Sequence, residues 1–95
     1  MAYAIVHFFP GGTKEQYEEM LEELHPGNGQ LPAGQVFHAA GPSDGGWTIM
    51  AVHESKESWD RFVESAVEPW KQRGRKRSFQ VSPQEIVFEV YNTVP

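Results

Sequence analysis

The chain has no cysteine among its 95 residues, which removes disulfides, thiolate zinc sites and thiol nucleophiles together. It also lacks an excess of positive charge: eight Lys and Arg stand against 13 Asp and Glu, for a net charge of −5. That balance argues against a protein built to coat nucleic acid. Long apolar runs are missing too. The N-terminal MAYAIVHFFP has no basic flank and meets Pro10 after a short stretch, so it reads as neither signal peptide nor membrane span. The expectation is a soluble, cytoplasmic protein with no membrane partner. A chain of this length makes one domain, residues 1–95, and a second subunit would add useful burial.

What is present is organised by breakers. Residues 3–9 are a β-branched and aromatic run that ends at Pro10-Gly11-Gly12, a strand and its stop. Thr13 followed by Gln16 has the form of a capping box. Tyr17, Met20, Leu21 and Leu24 then make one helical stripe, with Glu15, Glu18, Glu19, Glu22 and Glu23 on the other face. His25-Pro26-Gly27 stops this helix. Residues 35–40 and 46–53 read as strands, and GPSDG between them has the composition of a hairpin loop. Ser55 caps a second helix whose Trp59, Phe62, Val63, Ala66 and Trp70 keep helical spacing, and Pro69 predicts a break or kink near Glu68. Residues 71–82 are a basic, polar connection, and residues 85–91 the last strand.

The order βαββαβ is the split-βαβ pattern of α+β, ferredoxin-like folds with a four-stranded antiparallel sheet. Right-handed crossovers put the first and third strands in the centre and both helices on one face. A sheet with one wet face alternates apolar and polar residues. Ala4-Ile5-Val6, Trp47–Val52 and Ile86-Val87-Phe88 are instead nearly continuously apolar. Both faces are therefore expected to be covered, the second by another copy of the chain in an isologous homodimer.

If Gly41 and Gly46 pair at the hairpin, Val36, His38 and Ala40 share a face with Trp47, Ile49, Ala51 and His53. That face, mixing histidine with tryptophan, suits a cleft under the helices. His53 is the candidate catalytic residue, because an imidazole exchanges protons near neutrality. Trp47, Trp59 and Tyr17 are candidate walls for an apolar or aromatic ligand, with His38 and His7 as further ligand-binding candidates. The same residues also fit a plain core: Trp59 and Tyr17 stand at stripe positions, and a strand-end histidine often bonds nearby backbone. His25 has a simpler role at a helix end, near the last carbonyls. The histidines show no metal-ligand spacing, and no cofactor is expected. The basic run KQRGRKR, from Lys71 to Arg77, reads as a solvated loop or a partner for the acidic helix face. No Lys/Arg-Gly-aromatic signature of an RNA-binding strand accompanies it.

VHESKESWDRFVES and FFPGGTKEQYEEML resemble the strand–helix junctions of the dimeric α/β-barrel superfamily, in particular antibiotic-biosynthesis-monooxygenase (ABM)-like domains. The resemblance covers the whole order of elements. It implies two ferredoxin-like sheets joined in a dimeric barrel, with a cavity between each sheet and its helices. Some members oxygenate polycyclic phenols or anthrones without metal or flavin, by binding the aromatic, assisting its deprotonation and leaving the carbanion to react with oxygen. Carried over, His53 becomes the candidate base and Trp47, Trp59 and Tyr17 the lining. Many relatives have a histidine where this chain has Phe62, and haem-degrading relatives use a helix histidine as iron ligand. Residues 55–70 contain no histidine, which disfavours haem degradation. Two functions remain in view: a cofactor-independent monooxygenase-like enzyme for a small aromatic or polyketide-type substrate, and a non-catalytic dimeric domain that binds or senses a small ligand.

Overall fold

The computed structural model describes residues 1–25, 27, 29–73 and 78–94. Its elements are β1 (Tyr3–Pro10), α1 (Lys14–Leu24), β2 (Gln35–Ser43), β3 (Gly46–His53), α2 (Lys56–Phe62), a π-helical turn (Val63–Val67), α3 (Glu68–Gln72) and β4 (Gln84–Glu89). The helix starts follow local chemistry. Thr13 Oγ1 accepts from the Gln16 N–H at 3.2 Å while Gln16 Oε1 accepts from the Thr13 N–H at 3.0 Å, a complete capping box. Ser55 Oγ accepts from the Ser58 N–H at 3.0 Å. At its other end α1 stops at Leu24, with His25 extended and its N–H on the Leu21 carbonyl at 3.0 Å. Pro26, read as part of that stop, lies outside the described residues.

Pro69 does not end the second helix. Immediately upstream the chain widens into the π-helical turn, where the Glu68 N–H reaches back to the Val63 carbonyl. Proline lacks an N–H and its ring crowds the carbonyl four residues back, so a wider preceding turn suits it. The expected break or kink takes the form of this local widening, and the helix resumes to Gln72.

The sheet is antiparallel with strand order β2-β3-β1-β4, so β1 and β3 are central. The hairpin register differs from the expected one. Ser43 pairs with Gly46, leaving Asp44-Gly45 as a two-residue loop with Gly45 at φ 82°, and Gly41 stands opposite Thr48. An Asp-Gly loop twists with its strands, whereas a loop begun at Gly41 would forfeit ladder bonds. A shift of two residues leaves faces unchanged, so His38 lies opposite Ala51 and Ala40 opposite Ile49. A bulge between Gln35 and Phe37 then changes the outcome: Gln35, not Val36, stands opposite His53. Val36 is 58% exposed. The ladder of β4 ends at Glu89, short of the expected Tyr91, with one further bond from the Val90 N–H to the Ala2 carbonyl at 2.9 Å.

The helix-covered face buries Phe9, Met20, Trp47, Ile49 and Trp70 in one cluster with Phe79. Phe79 corrects the reading of residues 71–82 as a polar connection. Its ring stacks on Phe9 at 3.9 Å between centroids, and neighbouring Ser78 donates to the Gln16 carbonyl at 3.0 Å. Of the basic run, residues 74–77 lie outside the described residues; Lys71 approaches Glu68 on its own helix at 3.9 Å. The opposite sheet face is open in the protomer. Phe37, Met50, Ile86 and Phe88 there are between 42% and 65% exposed. Among the described residues no helix is long and apolar enough to cross a membrane.

Phe79→Ala removes a ring that is 2% exposed and is expected to cost about 3–5 kcal/mol. Urea unfolding of variant and wild type checks this, and a loss under about 1 kcal/mol would remove Phe79 from the core.

Candidate functional site

Between the helix-facing side of the sheet and the α2–α3 segment lies a cavity of about 620 Å³. Ile5, Phe9, Ile49 and Ala51 from the sheet and Trp59, Phe62, Val67 and Trp70 from the helices form its apolar walls. Its volume is that of a site for one drug-sized molecule. Two hydrogen-bonded groups of polar side chains reach the wall, beside Asp60, Glu64, Lys71 and Ser82.

The first group is a line of hydrogen bonds. Tyr17 Oη lies 2.6 Å from His38 Nε2, His38 Nδ1 lies 3.0 Å from Gln35 Oε1, Gln35 Nε2 lies 3.2 Å from His53 Nε2, and His53 Nδ1 lies 2.9 Å from Ser58 Oγ. Burial lowers the pKa of both His38 and His53, so each is neutral and carries one ring proton. With the Gln35 amide as placed, one proton arrangement satisfies every member. Tyr17 donates to His38 Nε2, His38 Nδ1–H donates to Gln35 Oε1, Gln35 donates to His53 Nε2, and His53 Nδ1–H donates to Ser58. Burial also raises the Tyr17 pKa, which keeps its hydroxyl a donor. His25 packs edge-on to His38 at 4.9 Å, and burial together with His38 lowers its pKa to about 4.

The line depends on close backbone approach. A Cβ at Gly34 would fall on Ser58 Oγ, and Gly34 sits at φ 82°, a conformation that glycine adopts without strain. The Gly34 carbonyl accepts from the Glu54 N–H at 2.8 Å, tying the loop before β2 to the end of β3.

The second group is a hydrogen-bonded histidine–carboxylate pair. His7 Nε2 lies 2.7 Å from Glu85 Oε2, and these residues are direct cross-strand partners on β1 and β4. The His7 ring also meets Phe9 edge-on at 6.1 Å and Trp59 at 6.0 Å.

Of the residues singled out from sequence, His7, His38 and Trp59 line the cavity. Tyr17 touches it only through His38. His53 has no exposed surface and stands behind Gln35, its ring against Trp59 at 5.4 Å and Phe62 at 5.6 Å. Trp47 is the second residue of β3 and His53 its last, about 20 Å apart at the rise of a strand. Trp47 packs on Tyr17 at 5.4 Å, and its buried Nε1 has no hydrogen-bond partner among the described residues. Gln35, Ser58, His25 and Glu85 were not singled out. Nothing local marks Gln35 and Glu85, since the bulge and the β1–β4 register place them. His25 was readable as a histidine but not as a neighbour of His38. No cluster of three or more metal-ligating side chains occurs among the described residues.

A histidine buried neutral must gain a proton on unfolding at acid pH. Above the unfolded value near 6.5 the three lowered histidines contribute no pH dependence; below it the unfolded chain binds more protons, so stability is lost as the pH drops. For His25 the window extends down to about 4. Urea midpoints are expected to drop steadily from pH 7 to pH 4, and less so in His25→Asn. Equal slopes in the two proteins would contradict the burial of His25.

No family model matches the sequence, and no curated protein does. In three dimensions the chain is similar to Rv0793 from Mycobacterium tuberculosis, with a TM-score of 0.71 at 12% identity over 100% of both chains. It is also similar to a mutant form of SnoaB, a cofactor-independent oxygenase from Streptomyces nogalater. That match has a TM-score of 0.64 at 15% identity, covering 99% of this chain and 96% of the other. The chain therefore shares, over its whole length, the ferredoxin-like fold of these two proteins.

Proposed function

We propose that the protein is a cofactor-independent oxygenase-type enzyme acting on a small aromatic or polyketide-type molecule. The observation that carries this reading is the cavity of about 620 Å³, apolar and aromatic in its walls and entered by histidines from two sides. SnoaB, named as a cofactor-independent oxygenase, supports it through shared fold. A planar ligand would lie between Ile49 and Ala51 of the sheet and Trp59 and Phe62 of the helix. Gln35 and His38 would offer hydrogen bonds at one end.

A cavity histidine would assist removal of a proton, and the resulting carbanion would pass electrons to dioxygen. For an anthrone the CH₂ group becomes a carbonyl, one dioxygen is consumed and one water is released. A general base must reach the proton it takes. His53 is enclosed, with both ring nitrogens engaged. In this reading it positions Gln35, and the proton passes to a histidine of the cavity wall. Trp47 and Tyr17 support the wall from behind.

Oxygen-electrode assays with dithranol and related anthrones test the activity. Wild type is expected to consume dioxygen above the rate of autoxidation, and Trp59→Ala to lower kcat/KM roughly tenfold or more, the loss of about 1.4 kcal/mol of wall contact. Saturable binding with no oxygen uptake across the panel would instead favour a non-catalytic ligand-binding domain.

The working unit in this reading is a homodimer joined through the open sheet face. Its exposed Phe37, Met50, Ile86 and Phe88 form the kind of apolar patch that marks an interface. The accessible surface of 6214 Å² for this 10.8 kDa chain also exceeds the roughly 5,500 Å² expected of a folded monomer. Light scattering at micromolar concentration is expected to give the mass of two chains, and Met50→Asp to shift it toward one. A monomeric wild type would sink the dimer.

A further inference from the structure

We infer that His7 and Glu85 form the general-base dyad of the cavity, His7 taking the proton of a hydroxylated aromatic ligand at Nδ1 while Glu85 holds the imidazole in the required tautomer. The inference rests on the aromatic-ligand reading above and assigns its proton acceptor.

The pair is built by strand register. His7 and Glu85 stand directly opposite on β1 and β4, so their side chains leave the sheet on one face and close together. Both reach the cavity wall, and His7 Nε2 lies 2.7 Å from Glu85 Oε2. A carboxylate only accepts, so the proton of the neutral imidazole sits on Nε2 and the lone pair on Nδ1. No described residue hydrogen-bonds Nδ1. The other cavity histidines are placed differently. His38 has both nitrogens engaged, by Tyr17 and Gln35. His25 packs against His38, and burial there disfavours its protonated form.

Phe9 and Trp59 hold the His7 ring from two directions, at 6.1 and 6.0 Å between centroids. A planar ligand against Trp59 therefore lies beside the same imidazole. In the step itself the ligand O–H bond breaks, an N–H bond forms at Nδ1, and the electron pair stays on the ligand oxygen. The imidazolium so formed is flanked by the Glu85 carboxylate and the new oxyanion. No oxidant enters this step; dioxygen reacts afterwards with the electron-rich anion. The substrate class is accordingly a phenol or enol fused to an aromatic system. His7 is the catalytic group and Glu85 a positioning residue.

Alizarin, an air-stable hydroxylated anthraquinone whose colour changes on ionisation, tests the step without turnover. Binding is followed by tryptophan fluorescence, and ionisation of the bound dye by its visible spectrum across pH. In wild type the bound dye is expected to ionise about tenfold more readily than free dye, a fall of roughly one pH unit. His7→Asn and Glu85→Gln are each expected to bind the dye yet lose most of that fall. Asp60, Glu64, Lys71, His25 and His38 also line the cavity. Because both variants keep these groups, a fall that persists in both overturns the dyad. Binding without any fall in wild type overturns it too, and leaves the cavity reading standing. No saturable binding overturns both for this ligand class. Glu85 is half-exposed on an edge strand, so Glu85→Gln decides the matter even if His7→Asn fails to fold.

Discussion

An imidazole with no exposed surface must have both nitrogens satisfied, because an orphaned buried polar group costs about 1–3 kcal/mol. His53 is that imidazole, and much of the structure is arranged around it. It ends β3, takes Ser58 from the first turn of α2 on one side, and takes Gln35 from β2 on the other. Three elements are thereby fixed relative to one another. The Ser55 cap sets where Ser58 falls, Gly34 makes room for its hydroxyl, and the bulge in β2 turns Gln35 inward. Without the bulge a valine would face the ring.

That arrangement extends into the cavity, since Gln35 has a second polar atom to place and places it on His38. The wall thus carries two groups of histidines with different electrostatics. Along the Tyr17–Ser58 line the rings are neutral and every proton has an assigned direction. At the other side His7 faces a carboxylate across two strands. In the proposed function, an apolar chamber with a neutral hydrogen-bonded line at one side and the His7–Glu85 pair at the other orients a planar, hydroxylated guest better than either feature alone.

The two faces of the sheet divide the work. Central strands β1 and β3 are apolar on both sides, but only one side is covered by the chain's own helices. The helix side therefore holds the core and cavity, and the open side supplies the proposed subunit contact. Stability of the cavity's far end comes from an unexpected quarter, the Phe9–Phe79 stack, which draws the loop before β4 into the core. This loop also contributes Ser82 and Pro83 to the cavity wall.

The sequence by itself determined the element order, both helix caps, the central placement of β1 and β3, and the apolarity of both sheet faces. These follow from period, breakers and capping chemistry, which act over a few residues and are legible there. It also marked His7, His38 and Trp59, because aromatic and imidazole side chains on inward strand or stripe positions must meet other inward groups. Only the tertiary structure decided the rest. Trp47 and His53 share a face but stand at opposite ends of one strand, a separation the face pattern does not express. Gln35 entered through a bulge, Glu85 through the partner strand's register, and Phe79 through a long-range stack, none of which leaves a local trace. The join at residues 46–62 was readable as a strand running into a helix. Whether its histidine opens onto a cavity depended on what packs in front of it, and that is Gln35 from a different strand.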